Sequence, residues 1–285
     1  MSKKKKWIIL LSAAAVLLLA VLANGIWNNS ALGLTEYAIS SPELPAAFDG
    51  FRIAQVSDLH NQDFGENNRK LVDMLRAAQP DIIVITGDMV DSRFTDIPVA
   101  LAFAEQAVEI APCYYITGNH ESRIEEYSQL RDGLLDLGVV VMEDERVELQ
   151  RDGDTIYLLG IHDVSFHPDY DLNRHDRIVR SALKSLRVED GFSVLLIHRP
   201  SFMDLYAHYE VDLVLSGHIH GGQIRLPWIG ALYAPGQGFF PEYDAGLYRQ
   251  GDTQMIVSRG IGNSIFPLRI NNPPEVVLVT LNSVK

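Results

Sequence analysis

Five short apolar runs in this 285-residue chain each end on side chains that can hold a metal ion or move a proton. Asp58-Leu59-His60 follows the run Phe51 to Ser57, Gly87-Asp88-Met89-Val90-Asp91 follows Asp81 to Thr86, and Gly118-Asn119-His120-Glu121 follows Tyr114 to Thr117. Further along, His198 closes Val194 to Ile197, and Gly217-His218-Ile219-His220-Gly221-Gly222-Gln223 follows Val211 to Ser216. Carboxylate, imidazole and amide oxygen together suit a borderline divalent cation such as Mn²⁺, Fe²⁺ or Zn²⁺. The single cysteine, Cys113, lies in an apolar run that reads as core and offers no thiolate cluster for a structural zinc site. Seven or so such side chains exceed what one ion takes, so the set implies two ions. Taken singly, each has a plainer reading: His60 or His198 as a satisfied core histidine, Asp91 as a turn or helix cap, Asp58 and Asn119 as loop residues. The ordered set carries the argument.

These residues need elements to bring them together. The runs above, with Val139 to Met142 and Thr155 to Ile161, are short and rich in β-branched residues, the pattern of strands buried on both faces. Helical patterns lie between several of them, at Asn68 to Ala78, Pro98 to Ile110, Glu125 to Leu137 and Arg174 to Leu186. Alternation at this spacing predicts an α/β sandwich, and in such sheets ligands gather at the carboxyl ends of the strands. Two late runs, Met255 to Ser258 and Val276 to Leu281, lack long helices between them and suggest a second, more antiparallel sheet packed on the first.

The N-terminus reads as a membrane element. Trp7 to Ala23 is seventeen residues without a charge, and apolar character continues with breaks to Trp27. As a helix this spans roughly 26 to 30 Å, the thickness of a hydrocarbon core. Lys3 to Lys6 flank one side only, so the positive-inside rule puts the N-terminus in the cytoplasm and the rest of a single-pass protein outside the cell membrane. A cleaved signal peptide is the competing reading, since Val21-Leu22-Ala23 offers small residues at a cleavage-like spacing, although a signal core is usually shorter. The expected organisation is an anchor over 1–30, a linker with a first strand (Thr35 to Ser40) over 31–50, and a catalytic domain over 51–285. Lys and Arg number 24 against 37 Asp and Glu, and without the four N-terminal lysines 20 cations face 37 acids, a charge of −17. Such a surface repels phosphate backbones and argues against nucleic acid as a partner.

The five blocks resemble the calcineurin-like metallophosphoesterase family, whose pattern is D-x-H, GD-x-x-D, GNH-E/D, a lone His and GH-x-H; all stand here in the family order, over about residues 50 to 285. The resemblance implies a four-layer α/β/β/α sandwich and two divalent ions (Mn, Fe or Zn) as cofactors. It implies Asp58, His60 and His220 on one ion, Asn119, His198 and His218 on the other, and Asp88 bridging both. His120 would face the leaving group as a proton donor, with Asp91 hydrogen-bonded to it. Two cations about 3.5 to 4 Å apart can lower the pKa of a shared water toward about 7 and offset charge on an attacked phosphorus.

The substrate is less legible. Asp91 is followed by Ser92-Arg93-Phe94 and not by the Asp-Arg-Gly of the superfamily's protein phosphatases, which argues against a phosphoprotein. A small or a lipid-linked phosphoester remains, and the anchor favours the second. The anchor together with Gly217 to Gln223 and Ile224-Arg225-Leu226-Pro227-Trp228 looks like a membrane-attached bacterial branch of the family, which implies a phospholipid or a UDP-diacylglucosamine-type pyrophosphate. Trp228 and its apolar neighbours, with Phe239-Phe240, would then form a lip for an acyl chain, against the simpler reading of packing beneath a hairpin. Arg199 and Arg225 are candidate phosphate contacts, against solvated salt bridges. A membrane-tethered metal-binding module without turnover and a metal amidohydrolase are the competing functions. The intact set with His120 argues against the first, and the late position of His218-Ile219-His220 against the second.

Overall fold

The structure, a computed structural model, describes residues 1–171, 174–234, 237–263 and 267–284. Helix α1 (Lys3–Ser30) leads into β1 (Gly33–Ser41), and then β2 (Arg52–Val56), α2 (Arg69–Ala78), β3 (Ile82–Thr86), α3 (Ile97–Val108), β4 (Cys113–Ile116), α4 (Tyr127–Asp136) and β5 (Val140–Val141) follow. A hairpin of β6 (Glu145–Arg151) and β7 (Asp154–Gly160) opens the second half, continued by α5 (His175–Leu186), β8 (Ser193–Leu196), α6 (Met203–His208) and β9 (Leu213–Ser216). Two small hairpins, β10 (Arg225–Leu226) with β11 (Gly230–Ala231) and β12 (Tyr233–Ala234) with β13 (Gly238–Phe239), precede β14 (Gly246–Gln250), β15 (Thr253–Val257) and β16 (Glu275–Ser283).

The strands form two six-stranded mixed sheets, ordered β1-β16-β2-β3-β4-β5 and β14-β15-β9-β8-β7-β6. Because side chains alternate across a strand, each sheet feeds two cores. Ile53, Val84 and Ile116 face Leu158, Leu196 and Leu215 in the core between the sheets. Ala54, Ile83 and Tyr115 take the other face of the first sheet under Leu71, Leu75 and Phe103 of α2 and α3. Leu195, Val214 and Met255 do the same for the second sheet under Val179, Leu183 and Tyr206 of α5 and α6. The layers run α/β/β/α, as expected.

Three features differ from the expectation. The two late strands do not share a sheet: β15 lies parallel to β9 in the second, while β16 lies in the first between β1 and β2, antiparallel to β2. Both carry runs buried on both faces, which only an interior position satisfies. The folded body begins at Gly33, since β1 pairs with β16 over its whole length and belongs to the sheet. Finally, β6 and β14 have no counterpart in the expected strands; β6 is an edge strand of largely exposed charged residues, so no apolar run marks it.

Helix α1 is exposed on every side from residue 3 to 20, and its last turns dock on the body. There Gly25 and Asn28 are buried, Asn24 Oδ1 accepts from the Asn271 N–H (2.9 Å), and Asn29 grips residues 267–269 by accepting from the Arg269 N–H (2.9 Å) and donating to the Pro267 carbonyl (2.6 Å).

Candidate metal centre

The carboxyl ends of β2, β3 and β4 in one sheet and of β8 and β9 in the other meet at one edge of the sandwich. Gln55, fully buried, joins the sheets there by donating to both Thr86 Oγ1 and the Ser216 carbonyl, each at 2.9 Å. The ligand loops are then laced together: the N–H groups of Asp58 and His60 donate to the carbonyls of Gly87 and Asp88, and the Gly217 N–H to that of His198 (all 3.0 Å). Loops drawn this tightly require unusual backbone. Asp58, His60, Asp88, His218 and His220 all have positive φ, between 46° and 71°. Each such residue outside glycine costs of order 1 kcal/mol or more, strain that tends to persist at functional sites. Gly217 is needed for a different reason: a Cβ there would lie 1.9 Å from Ser57 Oγ and 2.3 Å from Asp58 Oδ2.

Six of the seven candidate ligands converge, and all seven but the half-buried His218 are buried. Asp58, His60, Asp88 and His220 form one group, and Asp88, His198 and His218 another, with donor atoms in each group within 4.8 Å of one another. Asp88 belongs to both. Its Oδ2 stands 3.6 Å from His60 Nε2 and 3.2 Å from His198 Nε2, while Oδ1 accepts from the His120 N–H at 2.8 Å. His60 Nε2 and His220 Nε2 face each other at 3.0 Å, and His198 Nε2 faces His218 Nδ1 at 3.2 Å. Asn119 places a buried amide oxygen with no hydrogen-bond partner.

The donor set fits divalent metal ions. Imidazole nitrogens confronting each other beside carboxylates leave lone pairs that a cation satisfies, as does the orphan oxygen of Asn119. Burial pushes His60 down to about 3 and His218 and His220 well below the usual histidine range, so all three are neutral, the form that binds metal. The carboxylates ask for positive charge. Burial opposes ionisation of Asp88, but the charge and hydrogen bond of His198 outweigh it and leave the carboxyl well below its usual range. The same pairing, against the cost of burial, lifts His198 to about 10. Asp58 is raised to about 6, mainly by burial. Outward-facing atoms are anchored: His198 Nδ1 meets the Thr86 carbonyl at 2.8 Å and His220 Nδ1 the Gly262 carbonyl at 3.3 Å, contacts that fix ring orientation and tautomer.

The expected Asp91–His120 hydrogen bond is not the one formed. Asp91 Oδ1 lies 3.8 Å from His120 Nδ1, and its carboxylate is taken by Arg93 through the backbone N–H and Nε (2.9 and 3.0 Å). His120 Nδ1 instead accepts from the Ser92 N–H at 3.0 Å. A backbone N–H can only donate, so the neutral ring carries its hydrogen on Nε2. The two arginines have protein partners, the salt-bridge alternative of the sequence reading. Arg199 forms a forked pair with Asp163 (2.8 and 3.1 Å), and Arg225 pairs with Asp244 at 3.1 Å. Trp228 is not packed beneath a hairpin; it is fully exposed.

Sequence reasoning assigned no role to several residues that shape the site. Glu121, fully buried, accepts from the N–H groups of Gly118 (2.7 Å) and Asp88 (3.0 Å) with Oε2 and from that of Val90 (3.3 Å) with Oε1, fixing the turn that presents Asp88. Burial raises its carboxyl to about 7, with Asp88 adding to the effect. Its place in the Gly118-Asn119-His120-Glu121 block was the available signal. Arg269, also fully buried, donates to the carbonyls of Gly262 (2.5 Å) and Arg259 (2.9 Å), and Asn272 donates to that of His220 (2.7 Å). Nothing local in Arg269-Ile270-Asn271-Asn272 announces this.

A sequence model described as Calcineurin-like phosphoesterase matches residues 51–222. The uncharacterized metallophosphoesterase YkuE of Bacillus subtilis is 33% identical over 260 residues, covering 87% of this chain and 85% of that one. Phosphodiesterase YaeI of Escherichia coli is 27% identical over 246 residues, 81% of this chain and 82% of that one. A Bos taurus protein named Transmembrane protein with metallophosphoesterase domain is 28% identical over 261 residues, covering 88% of this chain and 57% of that one.

Replacing Glu121 with Gln puts an NH₂ group where one carboxylate oxygen accepts and leaves a buried backbone N–H unmet, a loss of about 1–3 kcal/mol. The Glu121→Gln protein should therefore melt at lower temperature and retain less metal by elemental analysis. Parental melting and metal content together would contradict a positioning role.

Proposed function

This chain belongs to the calcineurin-like phosphoesterase family, and from that premise we propose that it hydrolyses a phosphoester or pyrophosphate bond of a lipid-linked substrate at a membrane surface, using two divalent ions held side by side. The observation that carries the reading is the position of Asp88 Oδ2 between His60 Nε2 and His198 Nε2, which gives two donor groups one common carboxylate. In this reading Asp58, His60 and His220 hold one ion and Asn119, His198 and His218 the other, with Asp88 shared. Bound ions of this kind polarise phosphoryl oxygens and make a coordinated water more acidic.

The remaining work falls to the chain itself. His120 meets the leaving oxygen with its Nε2–H. The Ser92 N–H opposes a second proton on the ring, so His120 acts by donating a hydrogen bond to the charge that develops there. Asp91, 3.8 Å from the ring and tied to Arg93, contributes a negative field rather than a hydrogen bond. Arg199, tied to Asp163 and to Ser165 Oγ, acts in a positioning pair and not as a phosphate contact. The name of the Escherichia coli relative favours a diester. The N-terminal helix supplies the membrane anchor, with Lys3 to Lys6 on the cytoplasmic side and the hydrolase across the membrane. Exposed Trp228 beside the ligand loops favours a substrate with an apolar tail.

Turnover of soluble diesters with added Mn²⁺ tests the hydrolase against a binding module. His120→Ala should cost ~10²- to 10³-fold in kcat on a diester with an alkyl leaving group, and clearly less with p-nitrophenolate, which needs little help to leave. Equal losses on both would remove His120 from the leaving-group side. Trp228→Ala should weaken hydrolysis of a phospholipid while sparing a water-soluble chromogenic diester; matched losses would remove the apolar-tail reading.

A further inference from the structure

Outside α1, large exposed apolar side chains gather on the two small hairpins. Trp228 is 102% exposed, Phe239 71%, Ile229 65% and Phe240 61%, all within thirteen residues of sequence. Trp228 has φ of 65°, so the turn between β10 and β11 holds it outward at some backbone cost. Water alone gives no reason for such a cluster, which marks a surface that meets something apolar.

The patch is continuous with the base of the membrane helix. Asn271, whose N–H binds Asn24 of α1, donates its side-chain amide to the Arg225 carbonyl at 3.2 Å, and Asn271, Trp228 and Ile229 line one concavity. Height follows from the helix. The apolar residues 7–20 are exposed throughout and at about 1.5 Å per residue span roughly 21 Å, so the run reaches the depth of a hydrocarbon core only in the turns that follow. Docking begins directly after them, at Val21, Asn24 and Gly25. The body is therefore mounted on the last turns of α1 at the level of the bilayer surface, and not hung from a slack linker.

We propose that Trp228, Ile229, Phe239 and Phe240 enter the leaflet in which α1 ends, as a second, non-covalent attachment that holds the two hairpins following the candidate ligand His220 against the membrane. Tryptophan and phenylalanine suit that depth. The body's charge of −17, from 20 cations against 37 acids, offers no attraction to anionic lipid, so the apolar side chains supply the contact. This attachment stands on the placement of the loops and not on the identity of the substrate.

The chain has three tryptophans, so Trp7→Phe with Trp27→Phe leaves Trp228 as the only indole. The full-length double variant is reconstituted in phosphatidylcholine vesicles with and without brominated acyl chains, and intact fold is checked by turnover of a soluble diester. The expected result is Trp228 emission shifted to the blue and largely lost in the brominated vesicles. Emission at the wavelength of a water-exposed indole, indifferent to bromine, would overturn the proposal. Blue-shifted emission indifferent to bromine would overturn it too, since the patch would then be covered by protein, such as a second copy of the chain. Quenching without any preference for lipid substrates would leave the attachment standing and remove only the lipid-substrate reading.

Discussion

Two carboxylates, Asp58 and Asp88, are buried at the junction of two sheets beside imidazoles that burial keeps neutral. Negative charge removed from water is costly unless positive charge comes with it. The rise of His198 to about 10 reports the same demand from inside the protein: the carboxylates there stabilise whatever cation occupies that point. Divalent ions meet the demand, with the ring nitrogens of His60, His218 and His220 already gathered there and the Asn119 amide oxygen buried without a partner. The strained loops, the glycines and the inter-sheet hydrogen bonds can all be understood as means of keeping those groups together.

The means are local and specific. Positive φ at five candidate ligand positions shapes the loops after β2, β3 and β9, so that Asp58, His60, Asp88, His218 and His220 come together with His198 from the end of β8. Glu121 does for the Asp88 turn what a second strand does inside a sheet, collecting three backbone N–H groups on one carboxylate. On the far side, Arg269 and Asn272 brace the Gly262 and His220 carbonyls, and the Asn29 side chain of α1 accepts from the Arg269 N–H. The N-terminal helix is thus part of the scaffold around the candidate ligand His220.

Much of this was legible in the sequence because buried parallel strands are continuous apolar runs and their polar ends stand out against them. The strand ends that carry the candidate ligands, the α/β sandwich and four of the helices followed from that contrast. What was not legible depends on tertiary pairing. β6 carries charges on an exposed edge, and the partition of β15 and β16 between sheets is set by which interior slot each fills. The partner of His120 could not be read either: Asp91 is the obvious acceptor by type, yet Arg93 claims it from two residues away and a backbone N–H takes its place. Arg199 and Arg225 were marked by proximity in sequence to the ligands, but forked and single ion pairs hold them.

A pair of ions sharing Asp88 is the claim on which the proposed chemistry rests. The most direct test is anomalous diffraction from crystals of the full chain grown with Mn²⁺. The account predicts two peaks, one among Asp58, His60 and His220, the other among Asn119, His198 and His218, with Asp88 contacting both. A single peak, or two peaks of which one lies away from Asp88, would contradict it.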